Sequence, residues 1–249
     1  MNLEKIEKKV ISLIKKASKI YYKQEFFEVE DKHKHENDDV TNNDIATQNY
    51  IKTNLLKLIP GSCFIGEEGS EVNDNKYVWI LDPIDGTQNY KHAIPIYGTQ
   101  LVLQVNRKTV FSVIYLPAYK DLFVANKNGA FLNGKPISVS SNTNIEHSLV
   151  LLGNFAPYVD LKKQTEIQFK LMKTFKSVRV LGSSAYNYSL CACGKMEALV
   201  VFGNTAWDLE PGQFLVEKAG GVTYSNKNHN LHISANKELV EKIKELLEV

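Results

Sequence analysis

Tyr77–Thr87 reads YVWILDPIDGT. Its first five residues are aromatic, β-branched or leucine, so Tyr77–Leu81 is predicted to form a buried strand. Asp82 follows the strand end directly. Asp85 comes three residues later, across what reads as a Pro-containing turn. Gly86 lets the backbone bend tightly and Thr87 adds a hydroxyl. Two carboxylates delivered to the end of a buried strand repel each other unless a cation neutralises them.

Working upstream, Cys63–Ile65 is a short apolar run leading into Gly66-Glu67-Glu68-Gly69. Before it, Thr41 has the character of an N-cap with Asp44 three residues on. Ile45, Ile51, Leu55 and Leu58 supply the apolar stripe of that helix, and Pro60-Gly61 ends it. Leu3, Ile6, Val10, Ile14 and Ala17 recur at helical spacing and predict an amphipathic first helix. Between the two helices, Glu28–Asp39 (EVEDKHKHENDD) reads as a polar loop. His33 and His35 there are solvated loop side chains rather than a metal pair.

Downstream, Thr99–Val105, Val110–Tyr115, Asp121–Ala125 and Ala130–Leu132 read as an antiparallel meander, with turns at Lys127-Asn128-Gly129 and Asn133-Gly134. After the polar Ser138–Asn144 the pattern changes. Strands at Leu149–Leu152, Val178–Leu181 and Ala198–Phe202 alternate with helices at Leu161–Phe175, Ala185–Cys193 and Leu209–Ala219. Gly220-Gly221 closes the last of these, and Asn236–Leu247 forms a final amphipathic helix. The chain thus divides into an α+β half (1–140) and an α/β half (141–249), with the site expected between them. The fold class is α/β with α+β character.

Composition removes several alternatives. The chain has 249 residues, 43% of them apolar and 23% charged, enough for a sizeable core. Thirty basic against 28 acidic residues leave +2, which does not point to a nucleic-acid polymer or an anionic membrane. The three cysteines, Cys63, Cys191 and Cys193, are odd in number and lack C-x-x-C spacing, so they are read as reduced thiols of a cytoplasmic protein. Charges punctuate the first 16 residues and leave no apolar stretch of signal-peptide length, unlike a signal peptide. No unbroken apolar run, Ala198–Phe202 included, approaches the length needed to span a membrane.

The chemistry lies in the acidic residues. Glu67, Asp82 and Asp85 follow strands, and Asp208 follows Trp207 at the opening of a helix. Hard carboxylate oxygens converging on one sheet edge suit Mg²⁺, which takes one or two carboxylates together with substrate phosphate oxygens. Two such ions can activate water and clamp a phosphate, which indicates a metal-dependent phosphoryl hydrolase. Each acid alone has a plainer reading: a turn for Asp-Gly, an N-cap for Asp208, a capping box for Asp44, a solvated pair for Glu67-Glu68. Their combination favours the metal site. D-x-x-D-G fails the spacing of an EF-hand loop. It also fails the two-residue spacing of an aspartyl-phosphate enzyme, so water is the favoured nucleophile.

These motifs resemble the inositol monophosphatase family of lithium-sensitive, Mg²⁺-dependent phosphatases. The matching stretches are DDVTNNDIAT (38–47), FIGEE (64–68), WILDPIDGTQNYKHAIP (79–95), GAFLNGKPI (129–137), LGSSAYN (181–187) and WDLEPGQFLVEKAGG (207–221), in family order across most of the chain. The resemblance implies a layered α/β/α/β/α sandwich, as in inositol monophosphatase and fructose-1,6-bisphosphatase, and two or three Mg²⁺ per site. It implies metal ligation by Glu67, Asp82, the Ile84 carbonyl, Asp85 and Asp208. Asp44 and Thr87 match the pair that orients and deprotonates the attacking water, with Glu67 also in the catalytic set. Gly86 and Thr87 are expected to meet the phosphate, and Gly182, Ser183 and Ser184 the alcohol portion of a small phosphorylated metabolite. A homodimer is implied as well.

The chain departs from the pattern at Gly69, in the loop after the ligand, and at Val201, where relatives acting on inositol phosphates often carry a substrate-binding Glu. Valine cannot accept those hydrogen bonds, so other alcohols remain open: a nucleotide 3′-phosphate, fructose 1,6-bisphosphate or histidinol phosphate. The Gln88-Asn89-Tyr90 that follows DPIDGT is closer to the inositol-type branch. Glu210 reads as a helix first-turn acid, with a replacement substrate contact as the minority alternative. A non-catalytic binding protein of the same fold is the remote third reading.

Overall fold

The computed structural model describes residues 2–22, 41–70, 75–156, 159–203, 205–226, 228 and 230–249. The expected loop Glu28–Asp39, with His33 and His35, lies outside them. Two helices, α1 (Leu3–Tyr22) and α2 (Asn42–Leu58), pack together on one face of a seven-stranded sheet. Its strands are β1 (Cys63–Gly66), β2 (Tyr77–Asp85), β3 (Gly98–Val105), β4 (Lys108–Leu116), β5 (Asp121–Asn126), β6 (Gly129–Leu132) and β7 (Lys135–Pro136), adjacent in chain order. β1 runs parallel to β2 and all other pairs are antiparallel. A short helix, α3 (Thr87–Lys91), follows β2.

The second sheet contains β8 (Leu149–Leu152), β9 (Ser177–Val180), β10 (Ala198–Phe202), β11 (Val222–Ser225) and β12 (Leu231–Ala235), in the order β11-β12-β10-β8-β9. Helices α5 (Ser184–Ala192) and α6 (Ala206–Lys218) pack between the sheets, while α4 (Leu161–Thr174) and α7 (Lys237–Leu247) cover the far face of the second. The result is the expected five-layer α/β/α/β/α sandwich. The predicted division at 140/141 follows chain order, yet α5 and α6 pack against strands of the first sheet.

Alternation of side chains sorts the strands into three cores. Trp79, Leu81, Leu101, Leu103, Phe111 and Val113 meet α1 and α2. Ile114, Leu116, Phe123 and Ala125 point the other way, onto α5 and α6, where they join Leu151, Leu199 and Val201. Val150, Leu152, Val200, Phe202 and Ile233 face α4 and α7. Burial of both faces explains why these strands read as apolar runs.

The structure corrects the sequence reading in three places. β2 does not stop at Leu81 but continues through Asp85. Asp82 pairs with Gln100 and Asp85 with Gly98, so three steps on β2 oppose two on β3, a bulge rather than a turn. Pro83 is tolerated at the bulge, and its carbonyl accepts a hydrogen bond from Thr99 Oγ1 at 2.8 Å. β11 and β12 add an antiparallel pair that the sequence reading missed. The helix expected from Leu209 begins at Ala206, with Thr205 as its N-cap residue, so Asp208 sits in the first turn. Gly212 is required in that helix because a Cβ there would lie 2.0 Å from Tyr188 Cγ of α5.

Candidate metal-binding cleft

The open ends of β1 and β2 meet the N-terminal ends of α3, α5 and α6 around a cleft of about 200 Å³. Glu67 is strapped there because its N–H donates to the Leu81 carbonyl at 3.3 Å, beside the end of the parallel β1–β2 pair. The bulge re-aims Asp82 and Asp85. Asp208 arrives from the first turn of α6, and Thr205 Oγ1 donates to its Oδ2 at 3.0 Å. One carboxylate oxygen from each of Asp82, Asp85 and Asp208 lies within 4.8 Å of the others. Gly86 turns the chain from β2 into α3 at φ +85°, and a Cβ there would lie 2.8 Å from the Ile96 carbonyl oxygen.

The acids differ in how the protein treats them. Asp85 Oδ1 accepts from the Ser184 N–H at 2.9 Å, and Oδ2 from the Ala185 N–H at 2.9 Å and from Ser183 Oγ. The start of α5 thus cradles it. Burial nevertheless raises its pKa to about 6, with those three donors pulling it down. Asp82 is 2% exposed and its Oδ1 has no hydrogen-bond partner. Burial first, then the charges of Glu67, Asp85 and Asp208, push its pKa well up. Glu67 is raised well above the usual range by burial, then by Asp208, Glu68 and Asp44. Glu67 and Asp82 lie close enough to influence each other's protonation.

Ten of the residues expected at the site line the cleft: Glu67, Asp82, Ile84, Asp85, Gly86, Thr87, Gly182, Ser183, Ser184 and Asp208. Asp44 is not among them. It closes a capping box on α2, with Oδ2 accepting from the Thr41 N–H at 3.0 Å and from Thr41 Oγ1. Its Oδ1 is buried without a partner. Burial raises its pKa to about 6, the Glu68 charge adding to the effect while Thr41 opposes it. Asp44 and Thr87, the pair expected to act together on the water, are not hydrogen-bonded to each other. Thr87 Oγ1 instead donates to the Ile84 carbonyl at 3.0 Å. Each hydroxyl has closed a local ring with a partner three residues away, which competes with the longer contact.

Four lining residues escaped the sequence reading: Gln88, Gly153, Asn154 and Asn187. Asn187 lies four residues after Ser183 on α5, a spacing that puts both on one helix face. Gly153 and Asn154 follow β8 with no local signal. Val201 is 2% exposed within the core between the sheets. Glu210 does not line the cleft. It accepts hydrogen bonds from Thr109 Oγ1 at 3.0 Å and from Gln104 Nε2, tying α6 to the first sheet, and burial raises its pKa. Its minority reading as a substrate contact is therefore withdrawn. The three cysteines are free thiols.

These residues fit a divalent cation. The donors are hard oxygens, they repel one another when ionised, and a buried oxygen of Asp82 lacks a partner. Among the described residues no helix is long and apolar enough to cross a membrane.

The model of the inositol monophosphatase family matches residues 2–248. Inositol monophosphatase 1 of Solanum lycopersicum is 32% identical over 214 residues, covering 82% of this chain and 78% of its own. The fructose-1,6-bisphosphatase/inositol-1-monophosphatase of Thermotoga maritima is 32% identical over 197 residues, covering 78% and 74%. Among solved structures, a Thermotoga maritima IMPase superposes with a TM-score of 0.87 at 25% identity, over 98% of this chain and 97% of that one.

Proposed function

The chain belongs to the inositol monophosphatase family, and from that premise we propose that it is a Mg²⁺-dependent phosphomonoester hydrolase acting on inositol 1-phosphate or a closely similar ester. The observation that carries this reading is the convergence of Glu67, Asp82, Asp85 and Asp208 on one cleft, with an oxygen of Asp82 left without a partner.

Glu67, Asp82, the Ile84 carbonyl, Asp85 and Asp208 would hold two or three ions. When bound, these supply Lewis-acid chemistry, withdrawing charge from the phosphate oxygens and easing deprotonation of water. The remaining work belongs to the chain. Gly86 and Thr87 place the phosphate through their backbone N–H groups. Gly182, Ser183 and Ser184 border the alcohol portion. Thr87 aims the attacking water in line once its hydroxyl leaves the Ile84 carbonyl. Asp44, with one oxygen unpartnered and a pKa near 6, accepts the proton. We read the molecule as a cytoplasmic homodimer.

Val201 favours a second reading of the same chemistry, because an apolar side chain stands where a hydroxyl-binding acid was expected. Its substrates would be a nucleotide 3′-phosphate, fructose 1,6-bisphosphate or histidinol phosphate. The test is phosphate release from myo-inositol 1-phosphate and these three ester types, in Mg²⁺ and in excess chelator. Chelator-sensitive release, fastest on the inositol ester, supports the first reading. A preference for another ester selects the second, and release from none favours a non-catalytic protein.

A further inference from the structure

Asn187 is a buried polar side chain that nothing in the proposed mechanism uses. It is 2% exposed, lines the cleft, and its Oδ1 is buried without a hydrogen-bond partner. Leaving such an oxygen unsatisfied forfeits its hydration without a replacement hydrogen bond, so its retention beside a ligand cleft calls for an explanation. Its backbone N–H donates to the Ser183 carbonyl at 3.0 Å. That bond fixes Asn187 one turn below the Ser183–Ser184 lip, on the same face of α5. The lip's own groups are committed: Ser183 Oγ serves Asp85 and the Tyr186 N–H, and the Ser184 N–H serves Asp85.

The Gly153 side of the cleft supplies no acid. Val201 is packed in the core, and a Cβ on Gly153 would lie 3.1 Å from its Cγ1. Besides the acids Glu67, Asp82, Asp85 and Asp208, the long polar side chains lining the described cleft are the carboxamides of Gln88, Asn154 and Asn187. A carboxamide is uncharged and presents both donors and an acceptor, the complement of a hydroxyl.

We propose that Asn187 is a specificity-determining residue whose carboxamide hydrogen-bonds a hydroxyl on the alcohol half of the substrate. This rests on the phosphatase reading above and adds to it a reader of the leaving group on α5. Discrimination for a hydroxyl comes from leaving the reader unpaired when the hydroxyl is missing.

The experiment compares myo-inositol 1-phosphate with cyclohexyl phosphate, the same ring without hydroxyls, on wild type, Asn187→Leu and the smaller, polar Asn187→Ser. Each variant's melting temperature is recorded alongside. The expected result is a fall of about tenfold or more in the ratio of kcat/KM for the two esters in Asn187→Leu, carried mainly by KM for the inositol ester. Asn187→Ser should fall between Leu and wild type, and it carries the test if the Leu variant does not fold. Equal losses on both esters would make Asn187 a structural residue and overturn the inference. So would a wild-type enzyme that hydrolyses the two esters equally well, although the phosphatase reading would then stand. Hydrolysis of neither ester by wild type would overturn the inference together with the inositol-ester reading, and turnover of one of the other three ester types would show that the phosphatase chemistry itself still stands.

Discussion

Asp82 and Asp85 leave one strand three residues apart, yet they enter opposite surroundings. On the α5 side, Asp85 meets two backbone N–H groups and a serine hydroxyl. On the β1 side, Asp82 meets Glu67 and Asp208 and keeps an oxygen without a partner. The protein supplies three hydrogen-bond donors to one carboxylate and leaves an oxygen of the other without a partner, open to a cation. Burial is nearly the same for the two, 2% and 6% exposed, so partner chemistry and not depth separates them. On the metal-dependent reading proposed above, one ligand would be held in advance and the rest of the shell would be conditional on the ion.

The sharpest way to break this contrast is Asp82→Asn. Removing a conditional ligand should lower kcat/KM by ~10³-fold or more, equivalent to about 4 kcal/mol of transition-state stabilisation. The same change removes a buried, repelled carboxyl, so the melting temperature in chelator should hold or rise. Wild-type turnover would take Asp82 out of the metal site, and a collapse in melting temperature would mean that Asp82 is held by the protein after all. Thr87→Ala comes next. Loss of the hydroxyl that aims the water should reduce kcat about 10²-fold with KM changed little. The reverse pattern would make Thr87 a binding residue.

The third test uses pH. In the ion-free protein, Glu67, Asp82, Asp85 and Asp44 all have folded pKa values above those of free carboxylates. The folded state therefore binds more protons than the unfolded state between the two sets of values. Within the measured range, stability in chelator should be highest near pH 4, close to the unfolded values, and should fall as pH rises through about 6 and beyond. Mg²⁺ requires deprotonated ligands, so the melting temperature gained on adding it should grow over the same window. Melting curves across pH 4–8, with and without Mg²⁺, check both. A melting temperature in chelator that rises with pH would mean that the conditional side is already neutralised.

How much of this was legible follows from where each signal resides. The two sheets could be read because their strands are apolar runs buried on both faces, as in Leu149–Leu152 and Ala198–Phe202. Glu67, Asp82 and Asp85 could be read because each follows an apolar strand run, and Asp208 because it follows Trp207 where a helix opens. Pro83 and Gly86 suggested a turn, since composition does not reveal that Asp85 would still pair with Gly98 beyond a one-residue bulge. β11 and β12 were hidden because polar residues interrupt them. Ser225 and His232 hydrogen-bond each other at 2.8 Å, and Gln213 of α6 reaches the same ring nitrogen at 3.4 Å. Asp44 could be read both as a cap and as a catalytic group. The capping box is what the geometry displays, because a partner three residues away needs no tertiary contact to form. Asn187 closes the LGSSAYN stretch, but nothing in that motif marks its side chain, and the role proposed for it rests on an unsatisfied oxygen that only the three-dimensional structure shows.

Ser183→Ala carries the smallest effect and probes the other side of the contrast. Ser183 Oγ donates to Asp85 and accepts from the Tyr186 N–H at 3.1 Å, so one hydroxyl both holds a ligand and caps α5. Alanine removes the cap and one of the three donors on Asp85 but keeps the Ser184 and Ala185 N–H groups. The expected loss is about 1–2 kcal/mol of folding stability by urea denaturation. Because the hydroxyl stabilises Asp85 without any ion, that loss should appear equally in chelator and in Mg²⁺. A loss confined to the Mg²⁺-bound protein would place Asp85 with Asp82 among the ion-dependent ligands. The division of labour between the two aspartates would then disappear.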